Sequence, residues 1–307
     1  MKSHCFILLG VCVWLASTIP ATAQQLTGLG EHGAVTKVQG GFQFVEGPAQ
    51  TPDGSIYFSD IPANAIHRLS PDGKIEVFIE PSGHTNGLMY GGHDSLLACQ
   101  MDGQVVSIDL KTKQVTTLAD KYQGKRFNAC NDLVIDMLGG IYFTDPRYSA
   151  PDPWPQVKEA FYYRSTDGKV VRLGEDLAAP NGIGLSPDEK TLYVIPSMSS
   201  EMMAYEVKQP GVLGSVRVLC RLKQVGDATD GGGDGMAVDV KGNLYITSSA
   251  GVQVLSPAGE LLGIIALPET PANCAFGGEA NKTLFITAQT GLYRCTVPVA
   301  GLIPRGE

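Results

Sequence analysis

Apolar and polar positions in this chain alternate over short runs bounded by Gly, Asp or Pro, and one arrangement of runs recurs six times. In each recurrence a residue with a side-chain amide or carboxyl is followed by a small or acidic residue and an apolar run. A turn comes next, then a second apolar run whose aromatic or Leu lies about 11 residues after the leading residue. The stretches are Glu46 to Tyr57, Asn86 to Leu97, Asn131 to Tyr142, Asn181 to Tyr193, Asp234 to Tyr245 and Asn273 to Phe285, their leading residues 40, 45, 50, 53 and 39 positions apart. Short alternating runs predict strands, and no window sustains a 3.6-residue apolar period, so helices should be few. Strand repeats of this length are the signature of propeller blades.

Each repeat continues with a second hairpin. Pro71-Asp72-Gly73-Lys74, Thr166-Asp167-Gly168-Lys169 and Pro257-Ala258-Gly259-Glu260 share a turn in which Gly takes the positive φ that tight hairpins require. Four strands in each of six repeats predict an all-β fold, a six-bladed β-propeller. The last repeat runs out after Leu292-Tyr293-Arg294, one strand short, and Ala34 to Phe44 has the strand character to supply it. Pairing of the N- and C-terminal strands would close the ring and remove its exposed edges. A β-sandwich or an open array is the competing arrangement. Two insertions interrupt the rhythm, Pro146 to Val157 with Tyr148 and Trp154, and the Gly- and Asp-rich Gly226 to Gly235. Both adjoin a leading residue or its strand and should rim one face, as irregular surface loops or as walls of a pocket.

The first strand of a blade lines the central channel, so the leading residues should form a ring: Glu46, Asn86, Asn131, Asn181, Asp234 and Asn273. Two carboxylates and four amides are a donor set for a hard divalent cation. Burying Glu46 with Asp234 and no cation would force one of them to protonate. The bland alternative is that these residues cap strand ends around a water-filled channel. His84 stands two residues before Asn86, at the channel mouth or on an exposed loop. The formal charge of −8, without basic clusters, argues against nucleic acid or an anionic membrane as partner. Neither a G-x-S-x-G elbow, an H-E-x-x-H helix nor a phosphate-binding G-x-x-x-x-G-K-[ST] loop is present.

Lys2, the apolar run Phe6 to Ala16 and Ala21-Thr22-Ala23 read as a secretory leader cleaved after Ala23. The run is short for a bilayer span. The mature chain, 24–307, is then one propeller domain, periplasmic or secreted, a monomer or small homo-oligomer. Its five cysteines are odd in number and widely spaced, which is no disulfide framework.

Several motifs together resemble the gluconolactonase/senescence-marker-protein (regucalcin-like) family. They are Phe44-Val45-Glu46-Gly47-Pro48, Arg126-Phe127-Asn128-Ala129-Cys130-Asn131-Asp132-Leu133, Ile141-Tyr142-Phe143-Thr144-Asp145-Pro146, Pro180-Asn181-Gly182-Ile183-Gly184 and Asp234-Gly235-Met236-Ala237-Val238-Asp239. The resemblance covers nearly the whole mature chain and implies a six-bladed propeller with one divalent metal in its channel. Glu46, Asn181 and Asp234 are the implied ligands, with Asn131 beside metal and substrate. Arg126 resembles the family's substrate-binding arginine, although it lies five residues before Asn131 and some members place it two before. The implied reaction is metal-dependent hydrolysis of a sugar lactone. The ion would be calcium, with magnesium, manganese or zinc as alternatives. Asp234 or Glu46 would act as base, Arg126, Asn86, His84 and Asn273 would hold hydroxyls, and Tyr148 and Trp154 would cover the pocket. Related diisopropylfluorophosphatase-like enzymes share the metal site and hydrolyse phosphoesters, so a phosphotriesterase-like activity and a non-catalytic ligand-binding propeller are the other readings.

Overall fold

Blade cores form where strands are apolar on both faces. In Ile56–Asp60, Ile141–Asp145, Leu244–Ser248 and Gly251–Leu255 every residue is buried, because each blade is sandwiched between two others. Outer strands such as Val115–Ala119 are mostly exposed. The computed structural model describes residues 24–226 and 231–303; the leader read at residues 1–23 and the loop acids Asp227 and Asp230 lie outside these.

Six four-stranded antiparallel sheets follow one another along the chain. Their innermost strands are Val45–Gln50, Thr85–Gly92, Leu133–Ile135, Pro180–Leu185, Gly233–Val238 and Pro271–Gly277, and these define blades one to six. Each inner strand contacts the inner strands of the blades on either side, the sixth meeting the first, so the ring closes. The fourth strand of blade six is Thr36–Gly40, which pairs antiparallel with Gly291–Thr296 in the register Gly40↔Gly291 and Thr36↔Arg294. The closure expected from the one-strand deficit is thus observed. Helix among the described residues is a single 3-10 turn, Glu279–Asn281.

Hydrophobic clusters occupy all six interfaces between blades. Tyr57, Ile66 and Phe78 of blade one meet Leu96, Val106 and Ile108 of blade two. Equivalent sets join two to three around Phe127, Phe143 and Tyr162, three to four, four to five, five to six, and six to one around Phe58 and Phe285. Fully burying one such side chain stabilises by about 1.5–3 kcal/mol, so the ring is held by apolar interfaces rather than by the channel. The five cysteines are free, and four lie buried, Cys99 and Cys130 in one of these interfaces and Cys274 and Cys295 in another.

At the axis the inner strands approach closely. A Cβ on Gly47 would overlap the Asn86 carbonyl, and one on Gly182 would lie 2.6 Å from the Asp234 carbonyl oxygen. Small residues after the leading position, in every blade but the third, therefore let the strands converge. The C-terminal segment crosses the far end of the channel, where Leu302 N–H donates to the Val238 carbonyl at 3.1 Å.

Candidate functional site

Leading residues reach the axis because the inner strands bulge where they stand. Pairing with the second strand slips by one residue between Glu46 and Ala49, Thr85 and Leu88, Pro180 and Ile183, Gly233 and Met236, and Pro271 and Asn273. A bulge breaks the in–out alternation and re-aims a side chain. In blade three the paired strand starts later, and Asn131 N–H donates to the Thr144 carbonyl at 2.9 Å. In blades one, three and five a buried hydroxyl two residues after the second-strand aromatic ties the blade to the next at this level. Ser59 donates to the Asn86 carbonyl at 2.7 Å, Thr144 to the Asn181 carbonyl at 2.8 Å and Thr247 to the Ala272 carbonyl at 2.7 Å. The site's backbone is thereby held from the neighbouring blade.

Glu46, Asn86, Asn131, Asn181 and Asp234 all line one cavity of about 460 Å³ at the face where the inner strands begin. Around them, blades one and two contribute Phe44, Ile61 and Met101, whereas blades three to five contribute Tyr148, Ser197, Ser248 and Ser249. The cavity thus has an apolar wall facing a hydroxylated one.

Its floor is crowded with acid. Glu46 is 2 % exposed, and burial, reinforced by Asp234, pushes its carboxyl well above the usual range. Burial also pushes Asp234 up to about 7; the Asn181 amide N–H, 2.6 Å from Oδ1, opposes this and Asp132 adds to it. Asp132, buried beneath them, is likewise pushed up to about 7, against the pull of the Leu133 N–H and the Asn273 amide. Asn131 Oδ1 is buried without a hydrogen-bond partner. Repelling carboxylates beside an orphaned amide oxygen are what a divalent cation would relieve. Among the described residues no group of three His, Cys, Asp or Glu side chains is arranged to hold a metal ion. The set here draws half its donors from asparagine, as oxygen-preferring cations accept.

Not every residue expected at the site lines it. Asn273 lines the opposite channel compartment with Asp132 while its side chain also touches Glu46 from beneath; its Oδ1 accepts the Cys274 N–H at 2.8 Å and its Nδ2 lies 3.4 Å from Asp132 Oδ2. Arg126 is exposed, and its guanidinium donates to the carbonyls of Phe127 at 3.0 Å and Asn128 at 3.1 Å. His84 Nδ1 lies 3.1 Å from Asp102 Oδ1 on the surface. None of these three is among the cavity-lining residues. Trp154 also stays outside, with the Arg147 guanidinium 4.4 Å above its ring. Asp132 is the residue the repeat pattern passed over. Its signal was present, since it is an acid where the other repeats carry Gly or Cys.

The family model described as the SMP-30/Gluconolactonase/LRE-like region matches residues 44–290. A gluconolactonase of Zymomonas mobilis is 34 % identical over 285 residues, 84 % of this chain and 80 % of that one. The structure of a gluconolactonase from Xanthomonas campestris superposes with a TM-score of 0.82 at 29 % identity, covering 91 % of this chain and 97 % of the other. A calcium-binding protein of Agrobacterium tumefaciens, regucalcin, shares the fold at 20 % identity and a TM-score of 0.73, with 87 % and 94 % covered. The chain belongs to the SMP-30/gluconolactonase/LRE-like family.

Proposed function

We propose that this protein is a metal-dependent lactonase that opens an uncharged sugar lactone, with Glu46, Asn181, Asp234 and Asn131 holding one divalent cation. The observation that carries the reading is the convergence of Glu46 and Asp234 with the unpartnered Asn131 oxygen on one cavity floor. Similarity to the gluconolactonases of Zymomonas and Xanthomonas supports the lactone. The calcium-binding relative supports calcium as the ion.

A cation bound there would polarise the lactone carbonyl and lower the pKa of a water molecule. The chain's own residues do the rest. The wall of Phe44, Ile61 and Met101 presents a surface for the C–H face of the ring and keeps that side dry. Ser197, Ser248, Ser249 and Asn86 offer hydroxyl and amide partners for substrate hydroxyls. Asp234, open to the cavity, takes the proton that the attacking water loses; Glu46, more deeply buried and accepting the Gly47 N–H at 2.8 Å, stays as a fixed negative charge. No Lys, Arg or His side chain of the described residues lines the cavity, so an anionic substituent would find no cationic side-chain partner there. Phosphorylated lactones and organophosphate anions should therefore be poor substrates.

The test is a pH-stat assay on glucono-1,5-lactone with and without chelator, with an organophosphate ester in parallel. Hydrolysis of the lactone should fall to the uncatalysed rate on chelation and return with calcium. Full activity after complete metal removal would reject the proposal, and faster turnover of the phosphoester would move the function to that class.

A further inference from the structure

Tyr148 reaches the cavity from the loop that joins the second and third strands of blade three. Although the residue is 44 % exposed, its hydroxyl end lies inside, 3.5 Å from Asn181 Nδ2 and beside the Ser197 side chain. The loop is firmly seated. Gln156 Nε2 donates to the carbonyls of Lys125 at 2.8 Å and Arg126 at 3.0 Å, and Gln156 N–H donates to Asn128 Oδ1 at 3.0 Å. Arg147 N–H donates to Glu159 Oε1 at 3.2 Å, on the far side of the same loop.

The directions of the hydrogen bonds follow from what each atom can do. The Gly233 carbonyl can only accept, so the Ser197 hydroxyl hydrogen is committed to it at 2.7 Å. Ser197 Oγ then has only lone pairs to offer the Tyr148 phenol beside it. That leaves the Tyr148 oxygen as acceptor for an Asn181 N–H. The second Asn181 N–H goes to Asp234 Oδ1 at 2.6 Å. With both N–H groups committed, the amide's remaining polar atom is Oδ1, the only one of its atoms that can ligate a cation. An amide rotated by a half-turn would set Oδ1 against the Asp234 carboxylate and its NH2 where the cation belongs.

We propose that Tyr148, with Ser197 behind it, is a positioning residue that fixes the amide of Asn181 with its oxygen toward the cation. The inference rests on the reading of this cavity as a cation site. When a cation occupies the Asp234 oxygens, the Asn181–Asp234 bond weakens and Tyr148 is the partner that keeps the amide from turning. Outer partners of this kind orient metal ligands elsewhere, and their loss weakens metal affinity by about 10–100-fold. Tyr148 is thus assigned more than the cover over the pocket that its loop position suggests.

Calcium titration calorimetry on the full mature chain tests this with a readout other than activity. Tyr148→Phe keeps the ring and its packing but removes the acceptor. It should raise the calcium Kd about tenfold or more, with an unchanged circular dichroism spectrum and an unchanged metal-free Tm. Ser197→Ala should also weaken binding, because the freed phenol can turn its hydrogen toward Asn181. If wild-type protein binds calcium and Tyr148→Phe binds it within twofold of wild type, the positioning role is overturned while the cation site stands. If the wild-type chain takes up none of calcium, magnesium, manganese or zinc, the reading of the site falls and this inference falls with it.

Discussion

Asp234→Asn will lower kcat/KM for glucono-1,5-lactone by roughly three orders of magnitude and will raise, not lower, the Tm of the metal-free protein at pH 8. Both effects come from one charge. In the metal-free cavity Asp234 faces Glu46 and Asp132 with no cationic side chain among the described lining residues, so its ionisation is opposed by burial and by like charge. Removing the charge relieves that repulsion, and Asn keeps the shape and an amide partner for Asn181. The same change removes the proton acceptor and one of two anionic ligands. Stability gained where activity is lost is the expected trade at a site built around strain. Steady-state kinetics with saturating calcium and a thermal melt in chelator measure the two halves. Activity within tenfold of wild type would show that Asp234 is not in the machinery.

The second large effect is on how stability depends on pH. Asp132, Asp145 and Asp234 are each pushed up to about 7 by burial, and Glu46 well above the ordinary range; two backbone N–H bonds from Asn128 and Ala129 only partly offset the push on Asp145. In the unfolded chain these carboxyls titrate near 4. Between pH about 4 and 7 the native state therefore holds more protons than the unfolded one, so stability falls as pH rises. The contribution is fully present below the unfolded range and is lost as pH passes through the folded values. Metal-free protein should melt on the order of 10 °C lower at pH 8 than at pH 5. Calcium at a hundred times its Kd should return about 2.7 kcal/mol at pH 8. A metal-free Tm that is flat or rises from pH 5 to 8 would contradict this picture of the channel floor.

The blades were legible in the sequence because they are a repeated local problem. Apolar alternation, Gly-containing turns and an aromatic at a fixed offset recur whenever a strand must pack on both faces, and the terminal strand pair followed from a deficit of one strand. Which leading residues share one cavity was only partly legible. The repeat placed six polar side chains around the axis but not at one height. Bulges at Asn86, Asn181 and Asp234 aim those residues at the upper compartment. In blade six the slip is taken up before Asn273, whose amide lines the lower compartment beside Asp132 and meets Glu46 from below. Bulge position is set by contacts between blades, such as the Ser59 and Thr144 hydroxyls on the next blade's carbonyls, and no single repeat encodes it. Arg126 was read from the family resemblance and His84 from its distance to Asn86, whereas carbonyl groups hold the one and Asp102 the other. The Tyr148–Asn181 contact and the Ser197–Gly233 bond link three blades and have no signature within any one of them.

The most direct measurement is an anomalous difference map from crystals of residues 24–307 soaked in calcium at long wavelength. One peak should stand on the channel axis, about 2.4 Å from side-chain oxygens of Glu46, Asn181 and Asp234, with Asn131 Oδ1 turned toward it. A channel without a peak at millimolar calcium, or a peak that none of these four oxygens reaches, would contradict the account.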